Sequence, residues 1–326
     1  MSVDAKKVLS YRQLVEKYKT WCENVSTNLL NLGYPSLLQQ FRGFRKQEVV
    51  TVLARPGVGK SILTLNFVLN YLECSDEIAL VLSHEMAEAG IAERVMQLKL
   101  QIEGELIEAG FIGKDELLIR RASEQDTHLR NLYVIADRLE VHDIPEYIAH
   151  IERVYGKPVG VVVNDHLGLL KNKYYPKGDY FTVTDNMVKL YGYAKDLNIG
   201  VINVSQVSRE EAKKQEMTMA GGKGSSEIEQ SSDFVIIFDD VTEHKASPHE
   251  INLLNEIRAH RQDHIYKLMR IDIGKNRRSG NREPVYVLFD TKTILIQEYN
   301  VDILSQRREK YDVTEISAQA SIWQEG

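Results

Sequence analysis

Residues Ala54-Arg55-Pro56-Gly57-Val58-Gly59-Lys60-Ser61 combine two glycines, a lysine and a hydroxyl at a spacing suited to holding phosphate. Gly57 and Gly59 let the backbone bend so that several N–H groups converge on phosphate oxygens, and a helix beginning there adds its positive N-terminal end. Lys60 would pair with the β- and γ-phosphates, and Ser61 would offer its hydroxyl to a bridging Mg²⁺. The apolar run Val49 to Leu53 reads as a strand before this loop, and Ile62 to Leu69 reads as a helix after it. That is the context a P-loop requires, here with Ala54 in place of the first glycine. The competing reading is a glycine-rich turn before an ordinary helix. The phosphate-loop reading makes Arg55, Pro56, Gly57, Val58, Gly59, Lys60, Ser61 and Ile62 the nucleotide-contact set.

Other apolar runs end in residues able to act on the same phosphates. Ile78 to Ser83 leads to His84-Glu85-Met86, which places Glu85 where ligands bind in open α/β sheets, as a candidate to orient and activate water. A lone Glu there also serves simply as a helix N-terminal charge. Val159 to Val163 leads to Asn164-Asp165-His166, and Asp165 would hold the Mg²⁺ shell. An Asp ending a strand is also ordinary turn chemistry. Ile199 to Val204 leads to Ser205-Gln206, whose amide would bond the γ-phosphate and shift on hydrolysis, coupling nucleotide state to the next segment of the chain.

That segment, residues 207–226, carries Arg209, Lys213, Lys214 and Lys223 among Glu, Gln, Gly and Ser, with no regular period. Such a loop suits gripping the backbone of a polyanion through lysines and backbone N–H groups. Taken in isolation it reads better as a solvated surface loop. The basic stretch Gly274 to Arg282, which contains Lys275 and Arg277, has three competing uses: nucleic-acid phosphate grip, cationic fingers to a γ-phosphate, or a solvated hairpin tip.

The elements that must position these residues are set by periodicity. Tyr11, Leu14, Val15, Tyr18, Trp21, Val25 and Leu29 share one helical face across residues 5–32, which docks either on its own domain or on a neighbouring subunit. Gly33 to Ser36 breaks it and begins the main domain. Residues 86–130 read as charged helices, Leu132 to Ile135 as a short strand, and Asp143 to Val154 as a helix with Pro145 in its first turn. Lys171 to Asp179 reads as an exposed loop, Val183 to Leu197 as a helix and Phe234 to Phe238 as a strand. Residues 239–266 read as an exposed insertion with a helix near Ile251 to Arg261; its His244, His249 and His260 fit no metal spacing. Strands at Leu268 to Ile273 and Val285 to Phe289, with a third at Thr293 to Ile296, form an antiparallel meander.

The chain has 326 residues, enough for one large α/β domain with appendages. Its 41 basic and 47 acidic residues leave a net charge of −6, which argues against coating nucleic acid with the whole surface. No run of about 18 apolar residues marks a membrane span, and the polar start lacks a secretory h-region. Cys22 and Cys74 lack metal-type spacing and suit a reducing compartment.

With these residues in place, residues 33 to 298 resemble the ATPase domain of the DnaB-type replicative helicases. The motifs that carry the resemblance are Ala54 through Ser61, Ser83-His84-Glu85-Met86, Val163-Asn164-Asp165-His166-Leu167, Val204-Ser205-Gln206, Ile228-Glu229-Gln230 with Asp233, and Gly274-Lys275-Asn276-Arg277. The resemblance implies a RecA-like α/β fold, with a mostly parallel central sheet, flanking helices and a C-terminal antiparallel extension. It also implies an ATP- and Mg²⁺-dependent homohexamer that moves 5′ to 3′ on single-stranded DNA. Glu85, Lys60 and Gln206 would act in cis; Lys275 and Arg277 would reach the neighbour's nucleotide in trans. Arg209, Lys213, Lys214, Lys223, Gly224 and Ser226 would hold DNA in the central channel. Residues 1–35 become a linker-type helix packing on a neighbouring subunit, 36–298 the ATPase domain and 299–326 a polar tail. The missing N-terminal domain points to a compact phage or mobile-element helicase in a host cytoplasm. Primase, a helicase loader and other replisome proteins are its partner classes. A RecA-like filament ATPase and a non-translocating scaffold or loader remain as alternatives.

Three departures stand out. Lys223-Gly224-Ser225-Ser226 replaces the family's usual Arg-Glu-Ser-Gly, His84 and His166 stand where apolar or aromatic residues are usual, and the 239–266 insertion is longer and more charged than the family leads one to expect.

Overall fold

The computed structural model describes residues 9–25, 28–123, 129–177, 180–207, 225–241, 246–260, 266–280 and 282–299. In chain order the elements are α1 (Tyr11–Glu23), β1 (Leu29–Leu30), α2 (Pro35–Phe41), β2 (Phe44–Arg45), β3 (Val49–Ala54), α3 (Lys60–Glu73) and β4 (Ile78–Ser83). Next come α4 (Glu88–Leu100), α5 (Gly104–Ile112), α6 (Glu116–Ser123), β5 (Leu132–Ile135), α7 (Ile144–Tyr155), β6 (Val159–Asp165), α8 (Tyr180–Asp196) and β7 (Gly200–Gln206). The last are α9 (Ser225–Gln230), β8 (Phe234–Asp240), α10 (Pro248–His260), β9 (Tyr266–Asn276), β10 (Val285–Asp290) and β11 (Ile296–Glu298).

Nine strands form one sheet in the order β11-β10-β9-β8-β3-β7-β6-β4-β5. The six from β8 to β5 run parallel, and β9, β10 and β11 extend the sheet antiparallel, as the sequence reading expects. The parallel strands must be apolar on both faces because helices cover both. In β3, Val50, Val52 and Ala54 face a core shared with α3, while Val49 and Leu53 face a second core beneath α7 and α8. The alternation fixes which strand-end side chains can reach the P-loop, since α3 leaves the sheet on the first of these faces. Among the described residues no helix is long and apolar enough to cross a membrane.

Four sequence expectations need correction. The helix expected over residues 5–32 stops at Glu23, where Asn24 turns its side-chain amide back to the Thr20 carbonyl. Leu29–Leu30 instead pairs with Phe44–Arg45, and Leu30 and Leu32 join the main core. Within α1 no residue is buried, and Tyr11, Leu14 and Tyr18 stay exposed. The insertion is only partly exposed, because Leu253 and Ile257 of α10 pack with Val241, Leu268 and Leu288 on the sheet extension. Strand β9 absorbs Gly274, Lys275 and Asn276, which shortens the basic turn. The last strand begins at Ile296, since Asp290 accepts the Lys292 and Thr293 N–H groups in a turn and Ile294 adopts a φ of 52°.

Arg278, within the expected basic turn, points inward. Its guanidinium donates to the Phe41 carbonyl at 3.1 Å, the Arg42 carbonyl at 3.2 Å and the Gly43 carbonyl, and pairs with Glu48. It also lies 5.5 Å from the centre of the Phe234 ring, fastening the hairpin to the turn before β3. Burial raises the Glu48 carboxyl while Arg278 opposes that rise, so the pair depends on its partner. Arg278→Ala is expected to destabilise the fold by about 2 kcal/mol, because it takes the cation from a largely enclosed carboxylate and a donor from several carbonyls. Urea unfolding would show this as a lowered midpoint; an unchanged midpoint would contradict the fastening role.

Candidate nucleotide site

Between β3 and α3 the chain turns through Gly57 at φ 79° and Gly59 at φ 101°, both in the left-handed region. A Cβ added at Gly57 would meet nothing within 4 Å, so the backbone angle alone selects glycine there. Gly59 is the N-cap of α3 and has no side chain to bond the first-turn N–H groups, leaving that helix end suited to an anion. Lys60, the first helical residue, is only 7% exposed and pairs with no carboxylate among the described residues. An ammonium on so enclosed a side chain, with no carboxylate beside it, would gain a counter-charge from a phosphate group.

Three strand ends converge on this loop. Gln206 of β7 lies in register with Ala54, and the following Val207 N–H donates to the Ala54 carbonyl. On β6, Asp165 shares the α3-facing alternation of Val161 and Val163 and lies in register with Ser83 of β4. Its side chain is nearly buried, and Oδ1 lacks a hydrogen-bond partner among the described residues. An ionised carboxylate only accepts, so an orphaned buried oxygen fits a divalent cation held jointly with the Ser61 hydroxyl and substrate phosphates. Glu85, two residues past the end of β4, is 56% exposed at the rim.

Nothing in the local sequence pattern signals how His166 is used. Its Nδ1 accepts the Gly168 N–H at 3.1 Å, which places the ring proton on Nε2, 4.0 Å from Glu85 Oε2. Burial, then the nearby Lys60 ammonium, holds the imidazole below its ordinary pKa, so the ring is neutral at neutral pH. His84 is a connector that the sequence reading misses. Its ring nitrogens meet the Asp137 carbonyl at 2.9 Å and Asn164 Oδ1 at 2.8 Å, and Asn164 donates to Asn203 Oδ1 at 3.1 Å. This buried polar row joins the ends of β4, β6 and β7. Its sequence signal is an amide in each of two otherwise apolar strands.

Arg55 reaches sideways within the loop, with Nη1 3.3 Å from the nearly buried Asp239 at the end of β8. Asp239 falls inside the stretch read as an insertion, where no site residue is expected. His249, read as a poor metal candidate, packs edge-on against Tyr286 at 5.6 Å.

Lys275 and Arg277 lie elsewhere. Strand β8 pairs Phe238 with Ala54 at the P-loop end and Phe234 with Asn276 at the other. Four residue steps, about 13 Å of strand, separate those ends, and the P-loop continues beyond. The structure therefore groups Lys60, Ser61, Glu85, Asp165 and Gln206 at one edge of the sheet and holds Lys275 and Arg277 at the opposite edge. There the Lys275 ammonium donates to the carbonyls of Glu229 and, at 2.7 Å, Ser232. Burial and the adjacent Arg277 lower its pKa. Arg277 bonds Asp233 at 2.8 Å and the Tyr191 hydroxyl at 3.0 Å, yet its side chain stays 45% exposed. Both face a depression of about 500 Å³ that Ser226, Glu229 and Gln230 complete.

Of the expected DNA contacts, Arg209, Lys213, Lys214, Lys223 and Gly224 lie outside the described residues. Ser226 is described: it lies in the first turn of α9, and its hydroxyl is 2.8 Å from that of Tyr180.

A model of the family described as DnaB-like helicase C terminal domain matches residues 30–298. The chain is 28% identical over 315 residues to the replicative DNA helicase DnaB of Mycoplasma pneumoniae, covering 90% of this chain and 63% of that protein. It is 28% identical over 190 residues to a probable replicative DNA helicase of Guillardia theta, covering 57% of this chain and 31% of that protein. The chain thus spans less than two thirds of the length of these curated relatives. Among solved structures, an ATPase domain aligns at a TM-score of 0.72 and 19% identity, over 90% of this chain and 100% of that one. A DnaB-like replicative helicase, solved in a study of its interactions with primase, aligns at 0.69 and 20% identity, over 90% and 68%. At such identities the structures speak for the RecA-like fold alone. The match over residues 30–298 speaks for descent, and the chain belongs to the DnaB-like helicase C-terminal domain family.

Proposed function

We propose that this chain is an ATP-driven motor that works as a homohexameric ring, moves 5′ to 3′ on single-stranded DNA and unwinds duplex at a fork. The observation that carries the proposal is the division of candidate catalytic groups between opposite edges of one sheet. A nucleotide on the P-loop lies beyond reach of its own Lys275 and Arg277, whereas a neighbouring copy presenting its opposite edge would bring them to the γ-phosphate. The exposed apolar face of α1 supports the same assembly, since Tyr11, Leu14 and Tyr18 stay uncovered among the described residues.

In this reading Arg55, Pro56, Gly57, Val58, Gly59 and Ile62 shape the cradle, and Lys60 neutralises the β- and γ-phosphates. Ser61 and Asp165 hold Mg²⁺, which when bound screens the phosphate charge and orients the chain of phosphates. Glu85 accepts a proton from the attacking water, and the neutral His166 presents an N–H toward the carboxylate without adding a positive charge beside Lys60. Gln206 bonds the γ-phosphate and moves when it leaves. Because Gln206 lies just before residues 208–224, that movement is passed to the loop proposed to hold DNA through Arg209, Lys213, Lys214, Lys223, Gly224 and Ser226.

The decisive experiment is ATP-dependent unwinding of forked duplexes that carry either a 5′ or a 3′ single-stranded tail, with Lys60→Ala as control. Unwinding is expected only with the 5′ tail; filaments lengthening on DNA with no unwinding would favour a recombinase-like ATPase instead. Glu85→Gln is expected to keep nucleotide binding while turnover falls by roughly 100-fold or more. Wild-type turnover in that variant would remove Glu85 from the chemistry. Mixtures of Arg277→Ala and Lys60→Ala proteins, each inactive alone, are expected to regain part of the ATPase at mixed interfaces. No recovery at any ratio would count against shared sites.

A further inference from the structure

Between β6 and the first turn of α8, four aromatic side chains stand together on the surface. Tyr174 is 66% exposed, Phe181 61%, Tyr180 47% and Tyr175 42%. Single exposed aromatics are ordinary, but four within eight residues form a patch that needs an occupant. Their faces are preset by ring contacts, three of them with one another and Tyr174 with His142. Tyr175 and Phe181 stack with centroids 6.3 Å apart, Tyr180 meets Phe181 edge-on at 5.8 Å, and Tyr174 meets His142 edge-on at 4.8 Å.

The backbone beneath them is pinned as well. Asn172, only 2% exposed, accepts the Tyr174 N–H and donates to Asn186, and the Thr182 hydroxyl donates to the Tyr175 carbonyl at 2.6 Å. Lys171, Lys173 and Lys177 are interleaved with the rings, against the single acid Asp179 in the same stretch. The Lys173 ammonium stands 5.5 Å from the centre of the Tyr174 ring. The neighbouring Asp185 is engaged by Asn172 and Lys189.

We propose that this surface is a stacking platform for the bases of single-stranded DNA, an inference that rests on the reading of residues 209–226 as a backbone grip. The Tyr180 hydroxyl contact with Ser226 joins the two surfaces, so a strand gripped by its phosphates at one would lay its bases on the rings of the other. Every base offers a π-face, so the platform tolerates any sequence, and the lysines neutralise the phosphates alongside. Lysine is depleted at the centres of protein–protein contacts, which makes a second copy of this chain the poorer occupant.

The test compares the affinity of the full chain for oligothymidine and for the same strand with abasic sites, using fluorescence anisotropy with a non-hydrolysable ATP analogue present. The base-bearing strand is expected to bind at least about tenfold more tightly. Tyr174→Leu with Phe181→Leu removes the two most exposed rings while retaining apolar area, and is expected to cut that preference severalfold while the melting temperature holds. Equal wild-type affinity for both strands would overturn the platform and leave the backbone grip standing. Failure to bind either strand would sink both. A double variant that keeps the preference, or that loses only assembly size in sedimentation, would overturn the platform and assign the patch elsewhere.

Discussion

Strand β8 is hydrogen-bonded on one side to a parallel neighbour and on the other to an antiparallel one, and this pairing fixes the distance between the P-loop and the cations Lys275 and Arg277. Parallel pairing with β3 carries β8 toward the P-loop, so its far end supplies Asp239 to Arg55. Antiparallel pairing with β9 returns the chain to the opposite edge, where Lys275 and Arg277 emerge. Neither set can be moved to the other edge without breaking a ladder of backbone hydrogen bonds buried between two layers of helices. A site made from both sets is therefore a site made from two molecules.

The P-loop edge carries two charged groups without a charged or hydrogen-bonding partner of their own among the described residues. Lys60 is nearly buried without a carboxylate partner among the described residues, and Asp165 keeps an oxygen unbonded among them. Core groups in such positions are normally paired, and an exception at the mouth of a P-loop is where a phosphate and its cation would supply the missing partners. His166 belongs to the same arrangement. It sits between these charges yet stays neutral, so it adds an N–H near Glu85 without adding a positive charge beside Lys60.

Much of this is legible in the residues because the local rules and the fold agree. Continuous apolar runs in β3, β4, β6 and β7 mark buried parallel strands, and the polar residues closing them mark the edge that carries the candidate site. Three things escape. The α1 periodicity runs on through Val25 and Leu29, so pattern alone extends the helix; pairing between Leu29–Leu30 and Phe44–Arg45 overrides it. Arg278 looks like its exposed neighbours because the sequence does not show that three carbonyls and Glu48 converge on it. Asp239 and the row from His84 to Asn203 join positions far apart in the chain, and no local period encodes such partners.

The uncovered face of α1 has a topological consequence. If each copy lends this helix to the next, the contact is head-to-tail, and a linear row of copies always ends with one helix and one receiving surface unused. Bending the row until its ends meet fills that last vacancy without any new kind of contact. Closure is then favoured by one whole helix docking over any open row of the same number of copies. That extra contact would resist opening at a single seam, and an agent that threads the ring onto a strand would need only to compete for one helix.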